Sequence, residues 1–353
     1  MRLIVTGGGT GGHVFPALEI ARLARDRGHE VLYFGSIRGQ EKAVCDREDF
    51  PFRGFPSEPV YSLKKLKSWK AVFHIWRARR LAIPALRAAE ADALFSTGGY
   101  SAGPVVSAAM KLGLPYVMHA ADAIPARSIS LFAKRAFAVT TVFKSAAARL
   151  DGVRVERTGM PIRRELREAA ELPQIREGNT VLVTGGSQGA AFLNSQTPKA
   201  ARLMGRQDLQ WIHAAGQGHA ESVMRCAQGI PGYQVSPFLA GDEMAQAYRK
   251  ADVVLCRSGG SLAEVAMFGI PSVLVPFPTA ANDHQTANAQ EFVAMGAAIL
   301  HTQATSTPET LARDLLAWID NPAKRSAAAG VLAKFDIPNA ADRIMALVEE
   351  AAR

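Results

Sequence analysis

The chain has 353 residues, 48% of them hydrophobic, with a formal charge of +9. That length exceeds one ordinary domain and can bury two cores. Three cysteines, Cys45, Cys226 and Cys256, are an odd number and lie far apart, which excludes a disulfide frame or a Cys-x-x-Cys zinc site, and no run of about 18 apolar residues is present to span a bilayer.

The chain begins with an apolar run too short for a signal peptide, and LIVTGGGTGGHVFPALEIARLARDRGH (Leu3 to His29) then reads as a strand, a glycine cluster and an amphipathic helix. Glycine lets backbone N–H groups approach a ligand, and a helix N-terminus attracts anions, so the loop is suited to a diphosphate. A helix-capping role for His13 and a ligand-free turn stay open. Gly7, Gly9 and Gly12 satisfy the spacing of a dinucleotide loop, but the second strand, EVLYFGS, lacks the terminal acid that would hold the ribose of NAD. No Gly-Lys-Ser/Thr follows, which excludes a P-loop.

Residues 1–163 carry 25 Lys and Arg against 13 Asp and Glu, or +12, and the remainder 16 against 19, or −3. No acid lies between Glu58 and Glu90, where Lys64, Lys65, Lys67, Lys70, Arg77, Arg79, Arg80 and Arg87 fall, and Trp69, Phe73 and Trp76 share one helical face there. Basic residues with inserted aromatics suit an anionic membrane surface, and a core-facing aromatic stripe is the competing reading. There is no helix-turn-helix, zinc-finger or RNP signature, so nucleic acid is not an expected partner.

Further on, ALFSTGGYSAGP (Ala93 to Pro104) repeats the strand-to-glycine turn, and the chain's opening returns as VLVTGGSQGA (Val181 to Ala190). Strands VLYFG, PYVMH and AVTTVF alternate with helical patterns in the first half, as do QWIHAAG, VVLCRSG and PSVLVPF in the second. The expected fold class is α/β, with two Rossmann-like doubly wound parallel-sheet domains and a ligand cleft between them. We expect a first domain over 1–163, a second over 164–335, a hinge near TGMPIRREL (Thr158 to Leu166), and a final helix over 336–353, whose return to the first domain the sequence leaves open.

Taken together, GGGTGGHVFPALEIA, GGYSAGP, TGMPIRREL, GGSQGA and NDHQTANA, in this order, resemble the MurG-type N-acetylglucosaminyltransferases of the GT-B fold, over nearly the whole chain. The resemblance implies a donor, UDP-N-acetylglucosamine, held mainly by the second domain, and a lipid I acceptor on the cytoplasmic face of the plasma membrane. It places Arg163 and Ser187 by the diphosphate, the backbone of Leu239 by the uracil edge and Glu264 by the ribose hydroxyls, with Gln188, Met244, Ser261 and Leu262 also at the donor. Gln285 and Asn288 would contact the sugar. Thr10, Gly11 and Gly12 line the cleft between donor and acceptor, with Gly9, His13, Tyr100 and His119 on the acceptor side. His13 is the candidate base at the helix mouth, and Asp122 the second candidate. The chain has no Asp-x-Asp, so neither a metal nor another cofactor is expected at the diphosphate.

Three positions depart from the family pattern. MHAADAIPAR has Ala120 and Asp122 where Glu and Asn are usual, CRSGGSLAE (Cys256 to Glu264) is one residue short, and Met160 replaces a common Asn. A related transferase with another donor or acceptor and a UDP-sugar binder of low activity therefore remain alternatives, and a nicotinamide oxidoreductase is a further one, disfavoured by the missing ribose acid. His284 and His119 are expected at the cleft, and His29, His74, His213, His219 and His301 at the surface or in the core.

Overall fold

The structure, a computed structural model, describes residues 1–58, 66–186 and 188–353, with residues 66–72 described as helical backbone alone. The chain divides into two compact units, one of Met1–Arg163 with Ile337–Arg353 and one of Arg164–Asp336.

The first unit runs β1 (Arg2–Gly7), α1 (Gly11–Asp26), β2 (Glu30–Ser36), α2 (Glu41–Arg47), β3 (Phe52–Phe55) and α3 (Leu66–Ala89). It continues with β4 (Ala93–Gly98), α4 (Ala102–Leu112), β5 (Tyr116–Ala120), α5 (Arg127–Phe132), β6 (Ala138–Thr141), α6 (Lys144–Ala147) and β7 (Val155–Arg157). The strands form one sheet of order β3-β2-β1-β4-β5-β6-β7, and every pair in it is parallel. Order reverses between β1 and β4, so a crevice opens at their carboxyl ends. Leu3, Val5, Ala17, Ile20 and Phe95 pack one face of the sheet, and Ile4, Leu94, Val105 and Met118 the other.

The second unit runs α7 (Arg164–Glu171), β8 (Thr180–Thr184), α8 (Ala191–Met204), β9 (Gln210–Ala214), α9 (Ala220–Ala227), β10 (Tyr233–Ser236) and α10 (Gly241–Lys250). After these come β11 (Val253–Cys256), α11 (Ser261–Met267), β12 (Ser272–Leu274), α12 (His284–Ala294), β13 (Ala298–Leu300), α13 (Pro308–Ile319) and α14 (Pro322–Phe335). Its parallel sheet has the order β10-β9-β8-β11-β12-β13, with the reversal between β8 and β11.

The last helix, α15 (Ala340–Ala351), belongs to the first unit and buries Ile344, Met345, Leu347 and Val348 in the core beside α1. Polar partners fix its register. Arg27 pairs with Asp342 and Glu349, Arg154 with Glu350, and Arg343 with Glu156. These pairs are partly exposed and individually worth little, so the apolar face dominates.

The four strands that periodicity does not reveal, β3, β7, β10 and β13, are the four sheet edges. Along the helix of the basic segment, Phe73 is 56% and Trp76 48% exposed, so these two aromatics are not a core stripe. The side chains of Lys67, Trp69 and Lys70, and Lys64 and Lys65 altogether, lie outside the described residues.

Candidate active site

In the first unit the loops after β1 and β4 interlock. Gly8 donates its N–H to the Gly98 carbonyl at 3.4 Å. Gly99 has φ +86°, and a Cβ there would collide with the Gly8 carbonyl oxygen and come within 3.3 Å of His13 Cδ2. Only glycine fits both the conformation and the space. The Tyr100 ring lies on Gly9, where a Cβ would fall 2.5 Å from Cε1. From below, the Tyr33 hydroxyl donates to the Gly7 carbonyl and Thr97 Oγ1 donates to the His13 carbonyl at 2.7 Å.

These contacts set His13, half-buried, in the first turn of α1. Thr10 is the extended residue before the helix, its hydroxyl makes no capping bond, and the first turn holds no acid. The N–H groups of Gly11 and Gly12 have no carbonyl one turn earlier to donate to, so this end carries partial positive charge for an anion. Arg163 closes the unit's main segment with its guanidinium 5.2 Å over the Phe15 ring of the same helix.

His119 corrects an expectation. It lies on an interior strand, is completely buried, and so offers no surface to an acceptor in this structure. Its Nδ1 is 2.9 Å from Thr140 Oγ1, whose own proton goes to the Met118 carbonyl at 3.3 Å, so Nδ1 carries the hydrogen. Nε2 is buried with no hydrogen-bond partner. Burial, and then the charge of nearby His13, push the imidazole down to about 3, so His119 is a neutral neighbour of His13. Asp122, two residues past the end of β5, is half-buried.

In the second unit the loop after β8 is built on the same plan. Ser187 lies outside the described residues, and Gln188 beside it is exposed. Gly189 has φ +73°, and a Cβ there would collide with the Ala215 carbonyl. That carbonyl is held by Asn194 Nδ2 at 2.8 Å, Asn194 Oδ1 accepts from His213 Nε2 at 3.0 Å, and His213 Nδ1 accepts from the Tyr233 hydroxyl at 2.8 Å. Burial lowers His213 to about 4. The first turn of α8 again holds no acid.

Both histidines have folded-state values below the ordinary one near 6.5, so the unfolded chain binds their protons first on acidification. Stability contributed by their neutral forms is present above about 6.5 and is lost progressively towards pH 4. The midpoint of thermal unfolding, followed by calorimetry, is expected to fall across that window. In a His213→Gln variant the fall of the second unit's transition should be shallower. An unchanged pH slope would remove His213 from the account.

Around the loop after β11, Glu264 is half-buried in the first turn of α11 and its Oε2 accepts from the Tyr248 hydroxyl at 2.9 Å. Ser261 opens that helix, and Leu262 is buried as a core side chain, leaving only its backbone for a ligand. Leu239 is nearly buried before α10, where the Glu243 carboxylate reaches back to the Ala240 N–H at 2.9 Å and Met244 N–H bonds the Ala240 carbonyl at 2.8 Å.

Gln285 Oε1 accepts from Phe277 N–H at 2.8 Å, and a Cβ on Gly259 would lie 3.8 Å from its Nε2. The Gln285 amide thus faces the Gly259 turn. Asn288, expected at the sugar, is instead buried and donates Nδ2 to the Ser258 carbonyl at 3.0 Å, so it braces the same turn from beneath. Asn282 and Asp283 both have positive φ, 54° and 53°, just before α12. Asn and Asp tolerate this left-handed region better than other non-glycine residues, so the pair turns the chain into α12. Arg257 holds the next loop by donating to the carbonyls of Val275 and Pro276, each at 2.9 Å, and to Gln303 Oε1 at 2.8 Å.

Comparison with known proteins adds independent information. Residues 3–141 match the glycosyltransferase family 28 N-terminal domain and residues 180–344 its C-terminal domain. A UDP-N-acetylglucosamine--N-acetylmuramyl-(pentapeptide) pyrophosphoryl-undecaprenol N-acetylglucosamine transferase of Solibacter usitatus is 36% identical over 99% of this chain and 96% of its own. A transferase of the same name from Desulforamulus reducens is 32% identical over 99% of this chain and 98% of its own. The crystal structure of Acinetobacter baumannii MurG superposes with a TM-score of 0.79 at 30% identity, covering 99% of each chain. With two parallel-sheet units of the GT-B type and both family domains matched in order, this chain belongs to glycosyltransferase family 28.

Proposed function

We propose that the protein transfers N-acetylglucosamine from UDP-N-acetylglucosamine to the muramyl 4-hydroxyl of lipid I, giving lipid II. The observation that carries this reading is likeness over 99% of the chain to transferases named for that donor and acceptor. The structure's contribution is chemical suitability. Each unit ends its central strands in a glycine loop at a sheet reversal, followed by a helix whose first turn holds no acid.

The reaction forms a bond from the acceptor oxygen to the anomeric carbon and breaks the bond from that carbon to the diphosphate. The hydroxyl proton goes to the His13 imidazole, and the charge left on UDP is taken up by the α8 N-terminus and by the Arg163 guanidinium. Glu264 accepts from the ribose hydroxyls. The Gln285 amide donates to the sugar, and the Gly9–Tyr100 surface bears the acceptor. Asp122 stands in reserve as a base.

The test is turnover of UDP-N-acetylglucosamine with a short-chain lipid I analogue in chelator-treated buffer, beside UDP-glucose and a control without acceptor. Disaccharide formed from the N-acetylglucosamine donor supports the reading. UDP bound with no transfer would overturn it and point to the Ala120 and Asp122 departures.

The lipid-linked acceptor also calls for a membrane surface, and we propose that the basic helix α3 meets the cytoplasmic leaflet. Phe73 and Trp76 are exposed and stacked at 6.1 Å, with Arg80 4.7 Å over the Trp76 ring. Among the described residues no helix is long and apolar enough to cross a membrane. Each inserted aromatic contributes about 1.5–3 kcal/mol. Changing both to serine should weaken binding to anionic vesicles about a hundredfold or more while turnover of the short-chain acceptor persists. Equal vesicle binding by the two proteins would exclude α3 from the contact.

A further inference from the structure

One buried carboxylate has no part in this chemistry. Glu41, the first residue of α2, is completely buried beneath the first glycine loop. Its Oε1 accepts from the Ser36 N–H at 3.2 Å, while Oε2 has no hydrogen-bond partner. Two loops have given up side chains to make room for it. A Cβ on Gly8 would overlap Oε1, and a Cβ on Gly39 would overlap Oε2. A third glycine, Gly35, would bring its Cβ to 3.3 Å from Glu41 Cβ and Cγ.

A buried polar oxygen without a partner is destabilising, so simple space filling would favour an apolar side chain. What the carboxylate does contribute is position. It is wedged between the turn after β2 and Gly8, and the same stretch is fastened at Gly7 by Tyr33 and at His13 by Thr97. Between those two points Glu41 packs against Gly8, whose N–H bonds the Gly98 carbonyl at 3.4 Å, while Tyr100 lies on Gly9.

We propose that Glu41 is a positioning residue for glycosyl transfer, a buried clamp that holds the first glycine loop, and through it His13, at the height the acceptor requires. The inference rests on the transfer reading above and extends it to a residue that touches no substrate.

The experiment compares wild type with Glu41→Ala, Glu41→Gln, Gly39→Ala and the double variant Gly39→Ala/Glu41→Ala. Gly39 has no left-handed backbone, so alanine there acts through the carboxylate that it displaces. Misplacing a reacting group by about 1 Å costs on the order of a hundredfold. Glu41→Ala and Gly39→Ala should each lower kcat/KM for the acceptor by about tenfold to a hundredfold. UDP affinity should be unchanged, Glu41→Gln should restore most of the loss, and the double variant should be no worse than the more impaired single variant. Acceptor kcat/KM within about twofold of wild type in Glu41→Ala, or losses that multiply in the double variant, would overturn the clamp.

A second readout is independent of turnover. The 13C-labelled His13 ring resonance should move in Glu41→Ala and Gly39→Ala and stay in Glu41→Gln, and an unmoved resonance in Glu41→Ala overturns the proposal. Wild-type protein that makes no disaccharide would overturn the transfer reading instead, leaving the clamp to be decided by that resonance.

Discussion

His13→Gln is expected to lower kcat for disaccharide formation by about 10²- to 10⁴-fold while UDP affinity stays within about twofold of wild type. The range is that of a general base, and the geometry explains why this ring fits the task. Its backbone carbonyl is pinned by Thr97 and its edge faces Gly99, where any Cβ would intrude. Its neighbour His119 is held neutral by burial and locked in one tautomer by Thr140, so no fixed positive imidazole stands beside it. Glutamine keeps polarity and approximate size but accepts no proton at neutral pH. Stopped-time product assays under saturating donor and acceptor decide the matter. Near-normal turnover in His13→Gln with collapse in Asp122→Asn would transfer the role to the carboxylate after β5.

What the sequence could reveal about this site depended on how local each signal was. The glycine loops were readable because a strand, a turn needing positive φ and a helix start fall within some ten consecutive residues, and interior strands such as β1 and β8 are almost wholly buried and apolar. The edge strands escaped because only one side of each is covered. The sequence FRGF of β3 and VER of β7 are mostly half-exposed and carry charges, and they show neither a buried run nor clean alternation.

The contacts that tune the site were hidden for another reason. Tyr33 reaches Gly7 across 26 residues, Thr97 reaches His13 across 84, and Thr140 reaches His119 across 21. No spacing rule predicts such pairs. The same limit explains His119 and Asn288, whose residue types suit a ligand but whose side chains the packing turns inward. Glu41 had the opposite fate. It reads as an ordinary acid at a helix start, and only the three glycines folded around it mark it out.

On the donor side, Glu264→Ala should raise the dissociation constant for UDP by about ten- to a hundredfold, the equivalent of about 1.5–3 kcal/mol for hydrogen bonds to a charged group. The more discriminating readout is the ribose itself. Wild-type protein should bind UDP more tightly than 2′-deoxy-UDP or 3′-deoxy-UDP, because a carboxylate paired with hydroxyls is left unsatisfied when one is removed. In Glu264→Ala that preference should vanish, and in Glu264→Gln it should shrink. Tyr248→Phe tests the second half of the arrangement: the buried Tyr248 hydroxyl holds Glu264 Oε2 at 2.9 Å, so its loss should weaken UDP by a smaller factor, about two- to fivefold, with the deoxy preference reduced in step. Titration calorimetry with the three nucleotides separates two causes that a single affinity cannot. If all three weaken equally in Glu264→Ala, the residue acts by holding α11 together; if only UDP weakens towards the deoxy values, the carboxylate reads the ribose directly.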